Sequence, residues 1–293
     1  MSTQTASRVP TQFAEIDGIR FTYRRWGKPG GFPVVFFNYF TGNLDDWDPL
    51  ITDGFAADHE VILFNNAGVA SSGGKTPDTV AKMTRDAMAF CDALDLNLFH
   101  VVGFSLGGMI AQQLALDHPD RIQRIVLLGT GPRGGEGMEF AELSAEEQAD
   151  PVQLVLAAFF SPSETSQAAG RACLKRLAAR THDRDLPVSP GTAEAQLRAI
   201  REWGRVPSSN RYATLQSIKQ PTLIAHGNND IVVPPINALI LAQHLPNAQL
   251  IVYPDSSHGA QSQHADLFLQ HARQFLNDSS FLVFPQENCH DHD

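Results

Sequence analysis

The stretch His100-Val101-Val102-Gly103-Phe104-Ser105-Leu106-Gly107-Gly108 decides the fold. Its first five residues form a short, mostly apolar run of the kind found in a strand covered on both faces. Leu106 to Leu116 is rich in small and apolar residues and reads as a helix, which His118-Pro119 stops. The chain therefore passes from a buried strand into a helix through a turn at one serine. Gly-x-Ser-x-Gly at 103–107 is a modest signal alone, since chance gives about 0.1 matches in a chain of 293 residues. At a strand-to-helix turn it marks a nucleophile elbow, where the serine stands exposed at the end of the strand. The glycines have a physical task, because side chains two positions either side of a strained turn would collide with neighbouring backbone. The plainer alternative is a strand-to-helix turn that happens to contain serine.

Outward from the elbow, similar runs recur at VVFF (34–37), VILF (61–64) and IVLLG (125–129). Phe13 to Ile16 and Arg20 to Arg25, joined at Asp17-Gly18, predict an antiparallel hairpin. Asp45 to Ala57 and Thr79 to Leu94 carry helical spacing between the runs. Strand, helix and strand in repetition predict an α/β chain with a largely parallel sheet. Beyond Gly131 the pattern changes: up to about Ile218 there are helical stretches only, at 139–149, 151–160, 165–179 and 192–203. Strands resume at TLIAHG (222–227) and LIVY (250–253), with helices over Pro235–His244 and Gln263–Leu276. This divides the chain into a sheet-bearing core over 1–131 and 219–277, a helical lid over 132–218 and a tail over 278–293. The CHDH ending reads as a solvated terminus rather than a metal site.

A serine hydroxyl needs a base beside it to attack a carbonyl at neutral pH. His258 lies in Pro254-Asp255-Ser256-Ser257-His258-Gly259, just past the last strand run, in a loop at the carboxyl end of the sheet where sites of this topology gather. His264 and His271 fall in the final helix, and His226 at a strand end reads as structural. The acid that orients the base is expected after the preceding strand. His226-Gly227-Asn228-Asn229-Asp230 puts Asp230 in that turn; Asp255, its rival, is too near His258 in sequence to face its ring easily. Two backbone donors are needed for the oxyanion: the N–H of Leu106 at the start of the helix, and that of Phe40 in the loop Asn38-Tyr39-Phe40-Thr41-Gly42. Tyr39, Phe159, Phe160 and Trp203 are candidate pocket residues, although aromatic residues on helices more often pack in a core.

With GFSLGG at the elbow, HGNNDIVVP around Asp230, the SSHG loop and helices between the strands, the chain resembles the α/β-hydrolase family from about Phe13 to Leu276. It is similar, more narrowly, to lid-bearing esterases, lactonases, perhydrolases and carbon–carbon hydrolases. The resemblance implies an eight-stranded, mostly parallel sheet with helices on both faces, and a helical lid inserted after the sixth strand above the triad. It departs from the family in two places. Asn38-Tyr39 replaces the usual His-Gly, which puts a side chain where the oxyanion loop bends; Tyr39 either packs or donates to substrate. Phe64-Asn65-Asn66-Ala67-Gly68 lacks the charged residue that many relatives carry. A serine at the elbow also excludes the chemistry of related dehalogenases and epoxide hydrolases, which attack with aspartate.

The expected activity is hydrolysis of a small, apolar carboxylic ester or lactone through an acyl-enzyme. Acyl transfer, perhydrolysis and carbon–carbon bond hydrolysis are alternatives with the same triad. Further alternatives are a slow ligand sensor and a non-catalytic binding protein. No cofactor or metal is called for. The formal charge of −10 argues against nucleic acid as a partner, because phosphate binding needs a positive field. Apolar residues make up 43% and charged residues 18% of the chain, enough to build a core. Three scattered cysteines, the absence of a signal-like start and the lack of a long apolar run lead to the expectation of a cytoplasmic protein with no membrane contact, monomeric or homodimeric.

Overall fold

The alternation of apolar runs and helices becomes one eight-stranded sheet in the computed structural model, which describes residues 4–138 and 150–278. The helix expected at 139–149 and the CHDH ending lie outside the described residues. The strands are Gln12–Ile16 (β1), Ile19–Gly27 (β2), Val34–Phe37 (β3), Glu60–Phe64 (β4), Phe99–Phe104 (β5), Ile122–Leu128 (β6), Thr222–Gly227 (β7) and Ala248–Tyr253 (β8), in the spatial order β1-β2-β4-β3-β5-β6-β7-β8. β2 runs antiparallel to both β1 and β4, and every other pairing is parallel. The hairpin closes at Ile16 opposite Ile19, with Asp17 at φ 51° and Gly18 at φ 77°, the two left-handed residues that a tight hairpin turn requires.

Period-two alternation sends the strand side chains into two cores. Val35, Phe37, Ile62, Phe64 and Val101 face one way, against the helices Val80–Ala93 (α2) and Leu106–Asp117 (α3). Val34, Phe36, Val61, Leu63, Val102 and Phe104 face the other, against Pro49–Ala56 (α1) and, near the C-terminus, Phe268, Leu269, Ala272 and Phe275. α1 is shorter than the expected 45–57. Asp48 caps it by accepting from Leu50 N–H at 3.0 Å, with Pro49 in the first turn, while Asp45 is drawn away by Arg24.

Between β6 and β7 run Pro151–Phe159 (α4), Glu164–Leu177 (α5) and Pro190–Gly204 (α6), each N-capped by a side chain, from Asp150, Ser163 and Ser189 respectively. After β7 come Ile236–His244 (α7), the short Ala260–Gln263 (α8) and Ala265–Asn277 (α9); α9 covers the helix expected over Gln263–Leu276, and α8 precedes it as a separate turn. A buried polar knot ties the segment after α5 to the sheet. Arg24 pairs with Asp45 at 2.7 Å, both nearly inaccessible, and donates to the Asp183 carbonyl at 3.0 Å. Asp45 accepts from the Asp185 N–H at 2.8 Å, and Asp185 accepts from Asn65 Nδ2 at 2.6 Å and from the Ser71 hydroxyl. Asn65, at the uncharged departure noted above, thus works as a donor to a carboxylate that arrives from 120 residues away. Among the described residues, no helix is long and apolar enough to cross a membrane, and no group of His, Cys, Asp or Glu could hold a metal ion. Cys91 and Cys173 are buried free thiols, the latter pushed up to about 12 chiefly by burial.

Candidate active site

Ser105 stands between β5 and α3 at φ 54° and ψ −114°, a conformation that L-residues hold only when their surroundings enforce it. Three contacts do so. Its N–H donates to the Leu128 carbonyl at 2.9 Å, Thr130 Oγ1 donates to its carbonyl at 2.8 Å, and Gly108 N–H donates to the same carbonyl at 2.9 Å. The glycines have the steric role expected of them. A Cβ on Gly103 would strike the Gly107 carbonyl, one on Gly107 would strike the Phe37 carbonyl, and one on Gly108 would press on the Thr130 side chain. Close packing of the elbow on the end of β3 therefore fixes Ser105 beside the loop that follows β3.

Asp230 and His258 are brought together by the turns after β7 and β8. Asn228 N–H donates to the Tyr253 carbonyl at 3.0 Å and Asn229 N–H to the Ser256 carbonyl at 2.9 Å, so the two turns brace each other. His258 Nδ1 lies 2.8 Å from Asp230 Oδ2. An ionised carboxylate only accepts, so Nδ1 carries the proton and Nε2 is left as the basic nitrogen. Asp230 Oδ1 accepts from the N–H groups of Val232 and Val233, at 2.8 and 2.9 Å. Burial opposes its charge, but the His258 ring and the hydrogen bonds from His226 and His258 hold the carboxyl well below the usual carboxylate range. His226, read from sequence as structural, shares the acid: its Nε2 is 3.2 Å from Asp230 Oδ2 and 2.9 Å from the Val233 carbonyl.

The His258 ring packs 4.9 Å from that of Phe104, the residue before Ser105, and 5.4 Å from that of Phe159, placing base and elbow side by side. Among the described residues no hydrogen bond joins the Ser105 hydroxyl to His258; such contacts commonly tighten only when substrate is bound. Asp255, the rival acid, is turned elsewhere and accepts from the Ser163 hydroxyl at 2.5 Å. His264 and His271 pack around Tyr253.

Leu106 follows Ser105 directly, and Phe40 lies in the loop after β3. Leu106 opens α3, where a helix leaves its first N–H groups unpaired within the helix. Phe40 lies in a turn closed by Gly42 N–H donating to the Tyr39 carbonyl at 3.0 Å. Tyr39 does not need glycine's freedom here; the residue of this turn with positive φ is Thr41, at 60°. The Tyr39 ring lies 5.0 Å from Phe104 and 5.2 Å from Phe159, so Tyr39, Phe104, Phe159 and His258 form one aromatic wall. Phe160 points away into a small cluster with Leu156 and Cys173. Trp203 is buried in the main core and donates to the Gly131 carbonyl at 3.2 Å. Of the four candidate pocket residues, Tyr39 and Phe159 join the aromatic wall beside His258, while Phe160 and Trp203 pack elsewhere.

Helices after β6 reach into this site through backbone groups that no sequence pattern marks. Gly259 N–H donates to the Phe159 carbonyl at 2.8 Å, and the Ser257 hydroxyl to the Ala158 carbonyl at 2.8 Å. The loop that carries His258 is thus held from above as well as from the sheet.

Residues 33–265 match a family described as having the alpha/beta hydrolase fold. An alpha/beta hydrolase fold protein from Chitinophaga pinensis superimposes with a TM-score of 0.89 at 41% identity, over 94% of this chain and 100% of that one. A poly(3-hydroxyalkanoate) depolymerase from Ectopseudomonas oleovorans is 30% identical over 241 residues, covering 79% of this chain and 80% of that protein. A pimeloyl-[acyl-carrier protein] methyl ester esterase from Nitrosomonas europaea is 32% identical over 191 residues, or 61% of this chain and 69% of the esterase.

Proposed function

The chain belongs to the alpha/beta hydrolase fold family and is a hydrolase, and on that premise we propose that it cleaves small carboxylic esters or lactones through an acyl-enzyme on Ser105. The observation that carries this reading is the buried 2.8 Å contact between His258 Nδ1 and Asp230 Oδ2, beside a serine held at φ 54° on a nucleophile elbow. The relative from Nitrosomonas europaea is named a methyl ester esterase, in keeping with that bond class.

In this mechanism Ser105 Oγ attacks the carbonyl carbon while His258 Nε2 takes the hydroxyl proton. The carbonyl oxygen becomes an oxyanion and is held by the N–H groups of Leu106 and Phe40. His258 then passes the proton to the leaving alkoxide, and the tetrahedral centre collapses to an ester of Ser105. A water molecule gives its proton to His258 and attacks that ester, and the acid departs as Ser105 recovers its proton. Asp230 keeps the imidazole in the tautomer with Nε2 free and offsets the charge of the imidazolium. Tyr39 and Phe159 wall an apolar acyl site, and the helices α4 to α6 serve as its lid.

A panel of p-nitrophenyl esters of increasing acyl length, with γ- and δ-lactones, tests this reading. Multiple turnover by the wild type, lost in Ser105→Ala, is the expected result. Turnover that survives in Ser105→Ala would overturn it.

A further inference from the structure

The residue after Phe40 is strained, and what holds it comes from a distant helix. Thr41 sits at φ 60°, a left-handed conformation that is an outlier for a β-branched residue and persists only where the surrounding structure enforces it. Its N–H donates to Gln196 Oε1 at 2.7 Å, across 155 residues of chain, and its hydroxyl donates to the Phe40 carbonyl at 2.7 Å. Gln196 lies on α6 and is nearly inaccessible.

α6 is fixed in turn along one face. Thr192, one helical turn before Gln196, donates through Oγ1 to the Gly68 carbonyl at 2.7 Å, and its hydroxyl also lies 3.0 Å from that of Thr76. Two turns past Gln196, Trp203 Nε1 donates to the Gly131 carbonyl at 3.2 Å. The acceptor offered to Thr41 is therefore anchored on both sides. A narrow cavity is lined by Asn38, Gly42, Leu106 and Gln196, so Gln196 borders a space shared with Leu106, one of the two proposed oxyanion donors, and with the loop that carries Phe40.

We infer that Gln196 is a positioning residue for the oxyanion loop, holding the Thr41 N–H so that the neighbouring Phe40 N–H faces the reacting carbonyl. This inference rests on the serine-hydrolase reading above. Without the acceptor, the Phe40–Thr41 peptide can rotate to relieve the positive φ. The Tyr39–Phe40 peptide, which carries the Phe40 N–H, then shifts with it. Loss of one oxyanion donor costs about 10²–10³ in kcat in enzymes of this kind, and a misplaced one costs less. Because the effect falls on the transition state, kcat bears it and KM does not.

The test compares wild type, Gln196→Met, which removes the acceptor at nearly constant volume, and Gln196→Glu, which keeps an acceptor oxygen at the same reach. Steady-state hydrolysis of p-nitrophenyl acetate, thermal melting and amide exchange of Thr41 N–H are measured on each. The expected result for Gln196→Met is a kcat lower by roughly 10–100-fold with KM within about two-fold. Its Thr41 amide exchanges faster and its melting curve is little changed, and Gln196→Glu recovers most of the kcat. A Gln196→Met enzyme with wild-type kcat would overturn the inference and leave the hydrolase reading intact. So would a loss of activity that only follows loss of folded protein. A wild type that neither hydrolyses esters nor reacts at Ser105 would overturn the hydrolase reading and this inference together.

Discussion

His258 Nδ1 and Asp230 Oδ2 meet at 2.8 Å between two buried side chains whose loops are hydrogen-bonded to each other. The carboxylate takes two further N–H groups on its other oxygen, so its orientation does not depend on the imidazole. Asp230→Asn keeps an oxygen for those amides but presents an amide to His258, favouring the wrong tautomer. The expected outcome is a folded protein with kcat lower by about 10⁴, as in triads where this exchange leaves the geometry intact. Near-normal kcat in Asp230→Asn would remove the acid from the mechanism.

Asp230 is held ionised far below neutrality, so protonation of this acid does not limit activity in the weakly acidic range.

Ser105 is a side-chain residue in a conformation suited to glycine, which separates the catalytic and structural parts of the elbow. Ser105→Gly is expected to melt higher than Ser105→Ala, by about 1 kcal/mol or more in stability, while neither turns over substrate. Equal stability in the two variants would show that the turn is not strained. Gly107→Ala is expected to destabilise strongly, because its Cβ meets the Phe37 backbone rather than a movable side chain.

Asp46 gives a stability signature separate from catalysis. Burial pushes its carboxyl up from 3.8 to about 6, despite the Asn43 N–H it accepts at 2.8 Å. Between those values the folded protein binds a proton that the unfolded chain has released. Stability therefore falls as pH rises from about 4 to 6, and the full cost is present above 6. Asp46→Asn should leave stability unchanged near pH 4 and raise it near pH 8, by at most about 3 kcal/mol. Urea unfolding of both proteins at the two pH values checks the sign.

Phe159 reaches His258 through its ring and Gly259 through its carbonyl, and only the first contact is lost in Phe159→Ala. The expected change is a shift in kcat/KM toward longer acyl chains, with acetate hydrolysis reduced less than about ten-fold. An unchanged chain-length preference would take Phe159 out of the acyl site.

Much of this was legible in the residues. β3 to β8 fall at the short apolar runs, and most of them are buried on both faces with little room for polar residues, while β1 and β2 fall at the hairpin expected around Asp17-Gly18. The meeting of Asp230 with His258 was legible because their loops follow neighbouring strands at the same end of the sheet. The rest rests on pairs with no local trace. Asn65 finds Asp185, and Thr41 finds Gln196, across 120 and 155 residues of chain. Neither periodicity nor spacing encodes such a meeting. Phe159 and Phe160 are adjacent, yet one faces His258 and the other a satellite cluster; which way α4 turns at its end depends on packing that sequence does not state. Conversely, Asp45 looked like the start of a helix until Arg24 claimed it.

Reaction of the wild-type protein with a fluorophosphonate, followed by peptide mass spectrometry, decides whether Ser105 is the nucleophile. Stoichiometric label on Ser105 is expected, with ester hydrolysis lost in step with labelling and no label in Ser105→Ala. Label on another residue, or an unlabelled Ser105 in protein that still hydrolyses esters, would contradict it.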